Sequence, residues 1–150
     1  MRRIQIDSVK CDGCKNCTIA CMQAHRKTPG TVYDIDLTDP ENESRHHIVE
    51  LEDGTYRPIF CRHCDQPECV MSCMSGALTK DPVSGLVLYD EEKCGSCFMC
   101  VMNCPYGVLK PDTKTQTKVI KCDFCQDAGG EPSCVTSCPK QAIFVEEVGE

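Results

Sequence analysis

Four tight groups of cysteine dominate this chain: Cys11, Cys14, Cys17 and Cys21; Cys61, Cys64, Cys69 and Cys73; Cys94, Cys97, Cys100 and Cys104; and Cys122, Cys125, Cys134 and Cys138. They account for all sixteen cysteines among 150 residues. Thiols at such spacing close disulfides, hold zinc, or wrap a cube of iron and sulfide. Disulfide scaffolds belong to secreted chains, which begin with a basic patch, an apolar run and a small-residue cleavage site. This sequence opens Met-Arg-Arg-Ile-Gln-Ile-Asp-Ser and turns polar within a few residues. The expectation is a cytoplasmic, reducing setting, where clustered thiols serve metals.

Zinc takes four thiolates per ion, usually as two separated pairs, whereas each group here carries its own four within a short span. The run C-x2-C-x2-C-x3-C-P, intact from Cys94 to Pro105, is the iron-sulfur signature of bacterial ferredoxins. The expected load is four 4Fe-4S clusters. A zinc-binding interaction module is the alternative from a different class.

The groups form an internal repeat. Groups one and three are compact, "CDGCKNCTIAC" and "CGSCFMCVMNC", while groups two and four are widened and share Pro-x-Cys-Val-x-Ser-Cys. Every group ends in a C-x3-C step. Positions i and i+4 lie one helical turn apart, so the third cysteine can close a loop while the fourth sits a turn further on. In ferredoxin-type motifs that fourth cysteine reaches the neighbouring cluster, so the clusters come in pairs. Spacing alone leaves open which groups pair.

Elements must hold these loops with little conventional core, since aromatic content is 5% and tryptophan is absent. Strands are expected at Arg3 to Ile6, Leu86 to Tyr89 and Ile143 to Val145. In "SRHHIVELEDGTYRPIF", Asp53-Gly54 separates two alternating runs and reads as a β-hairpin covering one side of the cluster pairs. Apolar residues beside the ligands (Ile19, Val70, Phe98, Val101, Val108, Phe124, Val135 and Ile143) are expected to form a dry shell around the metal sites. Metal ligation should supply much of the folding free energy.

The four groups, with alternating spacing and Cys-Pro closing the third and fourth, resemble the four-cluster ferredoxin subunits of the dimethyl sulfoxide reductase iron-sulfur (beta) family. The likeness runs from residue 3 to about 145. The phrases "CRHCDQPECVMSCMSGAL" and "KCGSCFMCVMNCPYG" are similar to the iron-sulfur proteins that accompany nickel CO dehydrogenase. The resemblance implies an α+β fold of two bacterial-ferredoxin-like units: residues 1–21 with 110–150, and residues 59–109, with 22–58 an insertion bearing the hairpin. It implies crossed ligand sets: Cys11, Cys14, Cys17 with Cys138; Cys122, Cys125, Cys134 with Cys21; Cys61, Cys64, Cys69 with Cys104; and Cys94, Cys97, Cys100 with Cys73. Met22 and Met74 replace the proline of groups three and four, and Ser96 replaces the glycine of C-x-G-C, where a hydroxyl would alter hydrogen bonding to the cluster. Every ligand is present, so no 3Fe cluster is expected.

No nucleotide fingerprint or nucleophile motif appears, so catalysis is expected on a partner. The resemblance favours nickel CO dehydrogenase, with electrons passing to or from a hydrogenase or a flavin-dependent NAD(P) reductase. A molybdenum or tungsten formate dehydrogenase, an aldehyde oxidoreductase or a hydrogenase is the alternative. His63, inside "CRHC", reads as a loop residue bonded to backbone; His46 and His47 read as solvent-facing on the hairpin. Lys110, Lys114, Lys118 and Lys121 read as a solvated connector. The formal charge of −7 falls to about −15 once four cubes are counted with their thiolates, which favours partners with basic faces over nucleic acid. No membrane segment is expected.

Overall fold

The computed structural model describes residues 1–39 and 42–149. Short elements alternate along it: β1 (Arg2–Ile6), α1 (Asn16–His25), β2 (His47–Glu50), β3 (Tyr56–Ile59), α2 (Glu68–Met71), β4 (Leu78–Lys80), β5 (Val87–Tyr89), α3 (Met99–Asn103), β6 (Lys110–Pro111), β7 (Val119–Ile120), α4 (Ser133–Thr136) and β8 (Ile143–Glu147). The strands form four antiparallel pairs, β1–β8, β2–β3, β4–β5 and β6–β7. The fold is α+β, and all three strands read from the sequence are present.

The first and last strands pair with each other. Ile4 faces Val145 and Ile6 faces Ile143, while Arg3 lies opposite Glu146 and Arg2 opposite Glu147, so apolar and opposite-charge pairs agree on one register. Beneath this ribbon α1 packs on α4. The core there joins Ile4, Cys17, Phe60, Leu86, Phe124, Cys134 and Ile143. A second core holds Cys61, Leu78, Val87, Cys100, Val108, Leu109 and Val119, and α2 packs on α3 beside it. Groups one and four thus meet at one core and groups two and three at the other. The β6–β7 hairpin contributes Val119 to the second core.

Each of the α-helices α1 to α4 begins one residue before the third cysteine of a group. Only in α1 does the fourth cysteine, Cys21, remain on the helix. In groups three and four Pro105 and Pro139 follow directly, and a residue before proline is steered out of the helical region; Cys104 accordingly has φ −71° and ψ 115°. Met22, buried where those groups carry proline, lets α1 continue to His25.

The β2–β3 hairpin turns at Asp53-Gly54, with Gly54 at φ +79° and Asp53 accepting from the Thr55 N–H at 2.9 Å. It lies against the first cysteine loop: a Cβ on Gly13 would come within 2.5 Å of the Tyr56 ring. His46, just before the hairpin, is 2% exposed, stacked on Phe60 at 4.2 Å and within 3.2 Å of the Thr18 hydroxyl. The expectation that it faces solvent fails because the insertion folds inward onto α1. His47 is half-buried as well.

Candidate metal centres

The cysteine loops share a backbone feature that their side chains hide. The residue before the second cysteine is left-handed in all four groups: Gly13 (φ 72°), His63 (45°), Ser96 (55°) and Phe124 (62°). Lys15 and Phe98, after the second cysteine of the compact groups, are left-handed too, as is Cys125. Such a conformation is unfavourable for residues with a Cβ. Among the described residues, six of the eight non-glycine residues with positive φ lie in these loops. Successive turns of this kind point N–H groups into a concavity that accepts an anion, as at many iron-sulfur sites.

Two small recesses are each lined by four cysteines. One is bordered by Cys11, Cys14, Cys17 and Cys138, the other by Cys61, Cys64, Cys69 and Cys104. In each, three cysteines come from one group and the last from another. Electrostatic influence relates seven of the other eight thiols, Cys97 not among them. Cys134 is pushed up by burial and then by the neighbouring thiols of Cys122, Cys21 and Cys125, and Cys100, raised to about 11 by burial, is next influenced among thiols by Cys73 and Cys94.

The third cysteine of every group has a raised pKa, burial being the first cause, with Cys17 and Cys69 also reaching about 11. Such thiols are protonated at neutral pH until a metal displaces the proton, so loading the sites releases protons. Thiols of different groups also influence one another electrostatically: Cys134 and Cys17 within the first core, and Cys69 and Cys100, and Cys122 and Cys61, at the second. Cys14 and Cys97 are the exposed cysteines.

Polar groups brace the loops. The Arg45 backbone N–H donates to Cys21 Sγ at 3.3 Å. His25 lies 2.8 Å from the Cys21 carbonyl and 3.0 Å from Asp123, and Arg45 pairs with Asp123 at 2.8 Å. Burial disfavours the Asp123 carboxylate, but His25 and Arg45 outweigh it and hold its pKa well below the usual range. The donor atoms of His25, Asp123 and Cys125 lie within 4.8 Å of one another; with His25 and Asp123 bonded to each other, they form a brace for the fourth loop. Lys80 donates to the carbonyls of His63 at 2.9 Å, Cys64 at 2.8 Å and Gly85 at 2.5 Å.

Lys121 is 4% exposed and donates to the carbonyls of Val87 and Cys122 at 2.6 and 2.7 Å. The solvated connector expected from four lysines forms in part: residues 113–117 are exposed, Lys114 among them at 3.7 Å from Asp39, whereas Lys121 is interior, Lys110 reaches the Ser44 carbonyl at 2.7 Å, and Lys118 is half-buried beside Glu91 at 3.2 Å. Sequence reading missed Lys121 because nothing in its spacing separates it from its solvated neighbours. The Ser96 hydroxyl donates to the Thr117 carbonyl at 2.7 Å and so serves the connector. His63 Nδ1 accepts from the Val87 N–H at 2.9 Å, the backbone bond anticipated for it. Burial first, then the charges of Lys121 and Lys80, lower its pKa to about 2.

Thiols in fours, anion-accepting turns and largely apolar linings suit 4Fe-4S groups, and these features define an iron-sulfur protein. The 4Fe-4S dicluster domain family matches residues 52–148. The B subunit of the anaerobic dimethyl sulfoxide reductase of Escherichia coli K12 is 37% identical, covering 97% of this chain and 73% of the relative. This chain therefore belongs to the 4Fe-4S dicluster family, together with these reductase B subunits, and its cofactors are 4Fe-4S clusters. The β subunit of the NADH-dependent phenylglyoxylate dehydrogenase of Aromatoleum evansii is 40% identical over 93% of this chain, which spans 29% of that subunit. Among solved structures, the active site complex BamBC of benzoyl-coenzyme A reductase, bound to benzoyl-CoA, matches with a TM-score of 0.53 and 26% identity, covering all of this chain and 82% of that one. Among the described residues no helix is long and apolar enough to cross a membrane.

Proposed function

We propose that this chain is a non-catalytic electron-transfer subunit of an oxidoreductase complex, built to relay electrons through four 4Fe-4S clusters. The observation that carries the reading is the pair of recesses in which Cys138 joins Cys11, Cys14 and Cys17, and Cys104 joins Cys61, Cys64 and Cys69. We extend it to the other sets, Cys122, Cys125, Cys134 with Cys21 and Cys94, Cys97, Cys100 with Cys73. Two ferredoxin-like units follow, residues 1–21 with 110–150 and residues 59–109, joined by the insertion 22–58.

When bound, the clusters supply one-electron redox chemistry, with potentials set by hydrogen bonding and solvent exposure. The protein supplies order and insulation. The shared cores of Cys17 with Cys134, and of Cys61 and Cys100 with Cys122 and Cys69, support a relay in which the sets of Cys122 and Cys61 stand between those of Cys11 and Cys94. Exposed Cys14 and Cys97 belong to the two end sets, so electrons enter and leave there. Phe60, Phe124, Leu86 and Val87 keep water from the interior between them.

For the partner, the wording of the second and third groups favours a nickel CO dehydrogenase, with a hydrogenase or flavin-dependent NAD(P) reductase at the other end. The second reading is a molybdenum or tungsten formate dehydrogenase, an aldehyde oxidoreductase or a hydrogenase, and the likeness to a reductase B subunit favours it. The test supplies the anaerobic holoprotein with catalytic amounts of each enzyme and its substrate and follows bleaching of the visible absorption. Rapid reduction by CO dehydrogenase with CO supports the first reading. Reduction only by another enzyme supports the second, and reduction by none overturns both partner assignments.

A further inference from the structure

We propose that His63 is a positioning residue that donates a hydrogen bond from Nε2–H to a sulfur of the iron-sulfur group held by Cys61, Cys64, Cys69 and Cys104, raising its reduction potential. This inference rests on the reading of that recess as a cluster site. The side chain is 2% exposed. Because Nδ1 accepts the Val87 N–H, the proton of a neutral imidazole sits on Nε2. Yet Nε2 is buried with no hydrogen-bond partner among the described residues. A buried donor left unmatched costs about 1–3 kcal/mol, and native interiors rarely tolerate one. His63 also lines the same recess as the four thiols, whose sulfurs become acceptors once metal is bound.

The backbone makes the arrangement specific. At φ 45° His63 occupies a conformation that side chains rarely adopt, and such strain collects at functional sites. The other groups have nothing equivalent at the matching position: Gly13 has no side chain, Ser96 spends its hydroxyl on Thr117, and Phe124 is apolar. Only the second group presents an uncommitted donor there. The imidazole and the Phe124 ring meet edge to face at 6.1 Å, so His63 stands where the second loop meets the fourth, between the two inner sets. A hydrogen bond to sulfur favours the reduced, more negative state of a cluster, so the donor marks one inner site as the more readily reduced.

The test is a redox titration of the anaerobic holoprotein followed by electron paramagnetic resonance, comparing parent, His63→Phe and His63→Gly, with the relevant signal assigned by its change in Cys64→Ser. Both His63 variants should lower the equilibrium constant for reduction of that one cluster about tenfold, equivalent to about 59 mV for one electron, and leave the other three unmoved. In the unmutated protein with ¹⁵N-labelled histidine, pulsed spectroscopy should find an imidazole nitrogen and an exchangeable proton coupled to the same cluster, which covers the case in which the variants do not fold. Unchanged potentials in folded variants, or no such coupling in the parent, overturn the assignment of His63. Absence of a Cys64-dependent cluster signal in the parent instead overturns the reading of the recess itself.

Discussion

Replacing Gly13 with alanine sets a Cβ 2.5 Å from two atoms of the Tyr56 ring, on a backbone at φ +72°. The left-handed conformation costs a residue with a Cβ about 1–2 kcal/mol. Forcing the half-buried ring aside resembles overpacking and adds about 1–3 kcal/mol. A total near 3 kcal/mol corresponds to a change on the order of 100-fold. Because cluster loss is irreversible, the quantity to follow is a rate: bleaching of the holoprotein in anaerobic guanidinium with an iron chelator. Gly54→Ala is the control, since Gly54 has φ +79° but nothing within 4 Å of the added Cβ; it should accelerate bleaching only about tenfold. Tyr56→Ala should reduce the Gly13→Ala effect to that same level. If Gly13→Ala behaves like Gly54→Ala in the parent background, the hairpin does not press on the first ligand loop and the reasoning fails.

Cys138→Ala should cost the protein about a quarter of its iron, taken from the set of Cys11, while Cys21→Ala should damage the set of Cys122; iron analysis with paramagnetic resonance checks both. Burial first, then Lys110 and His47, lower the pKa of His46 to about 3 from its ordinary 6.5. Neutral His46 therefore contributes stability that is present above pH 6.5 and lost as pH falls toward 3, by up to about 1.4 kcal/mol per pH unit. His46→Phe keeps a ring against Phe60, so its bleaching rate should rise up to about tenfold less than the parent's between pH 6 and pH 5. Lys121→Met would strip the Val87 and Cys122 carbonyls of their interior donor, a loss of about 2 kcal/mol, visible as bleaching more than about tenfold faster.

The sequence made the chemistry plainer than the architecture. Four thiols per group and the C-x3-C step are local features, and each α-helix begins beside the third cysteine, although only α1 carries the fourth as well. The terminal strands were legible as strands, but their partnership was not, because pairing Ile6 with Ile143 is a long-range choice made by register and charge. The left-handed turns were hidden for a different reason: only Gly13 advertises one, while His63, Ser96 and Phe124 adopt it because the loop around them demands it. His46 and Lys121 read as solvated because polar side chains usually are. The inward fold of the insertion and the two carbonyls awaiting a donor place them inside.

Crossed ligation in a single line of clusters can be seen in an anaerobic crystal structure of the holoprotein with iron anomalous scattering. Four separate iron groups are expected, with Cys138 on the group held by Cys11, Cys14 and Cys17, and with the groups of Cys122 and Cys61 adjacent in the middle of the line. Cys21 on the same iron group as Cys11, or zinc scattering where iron is expected, would contradict it.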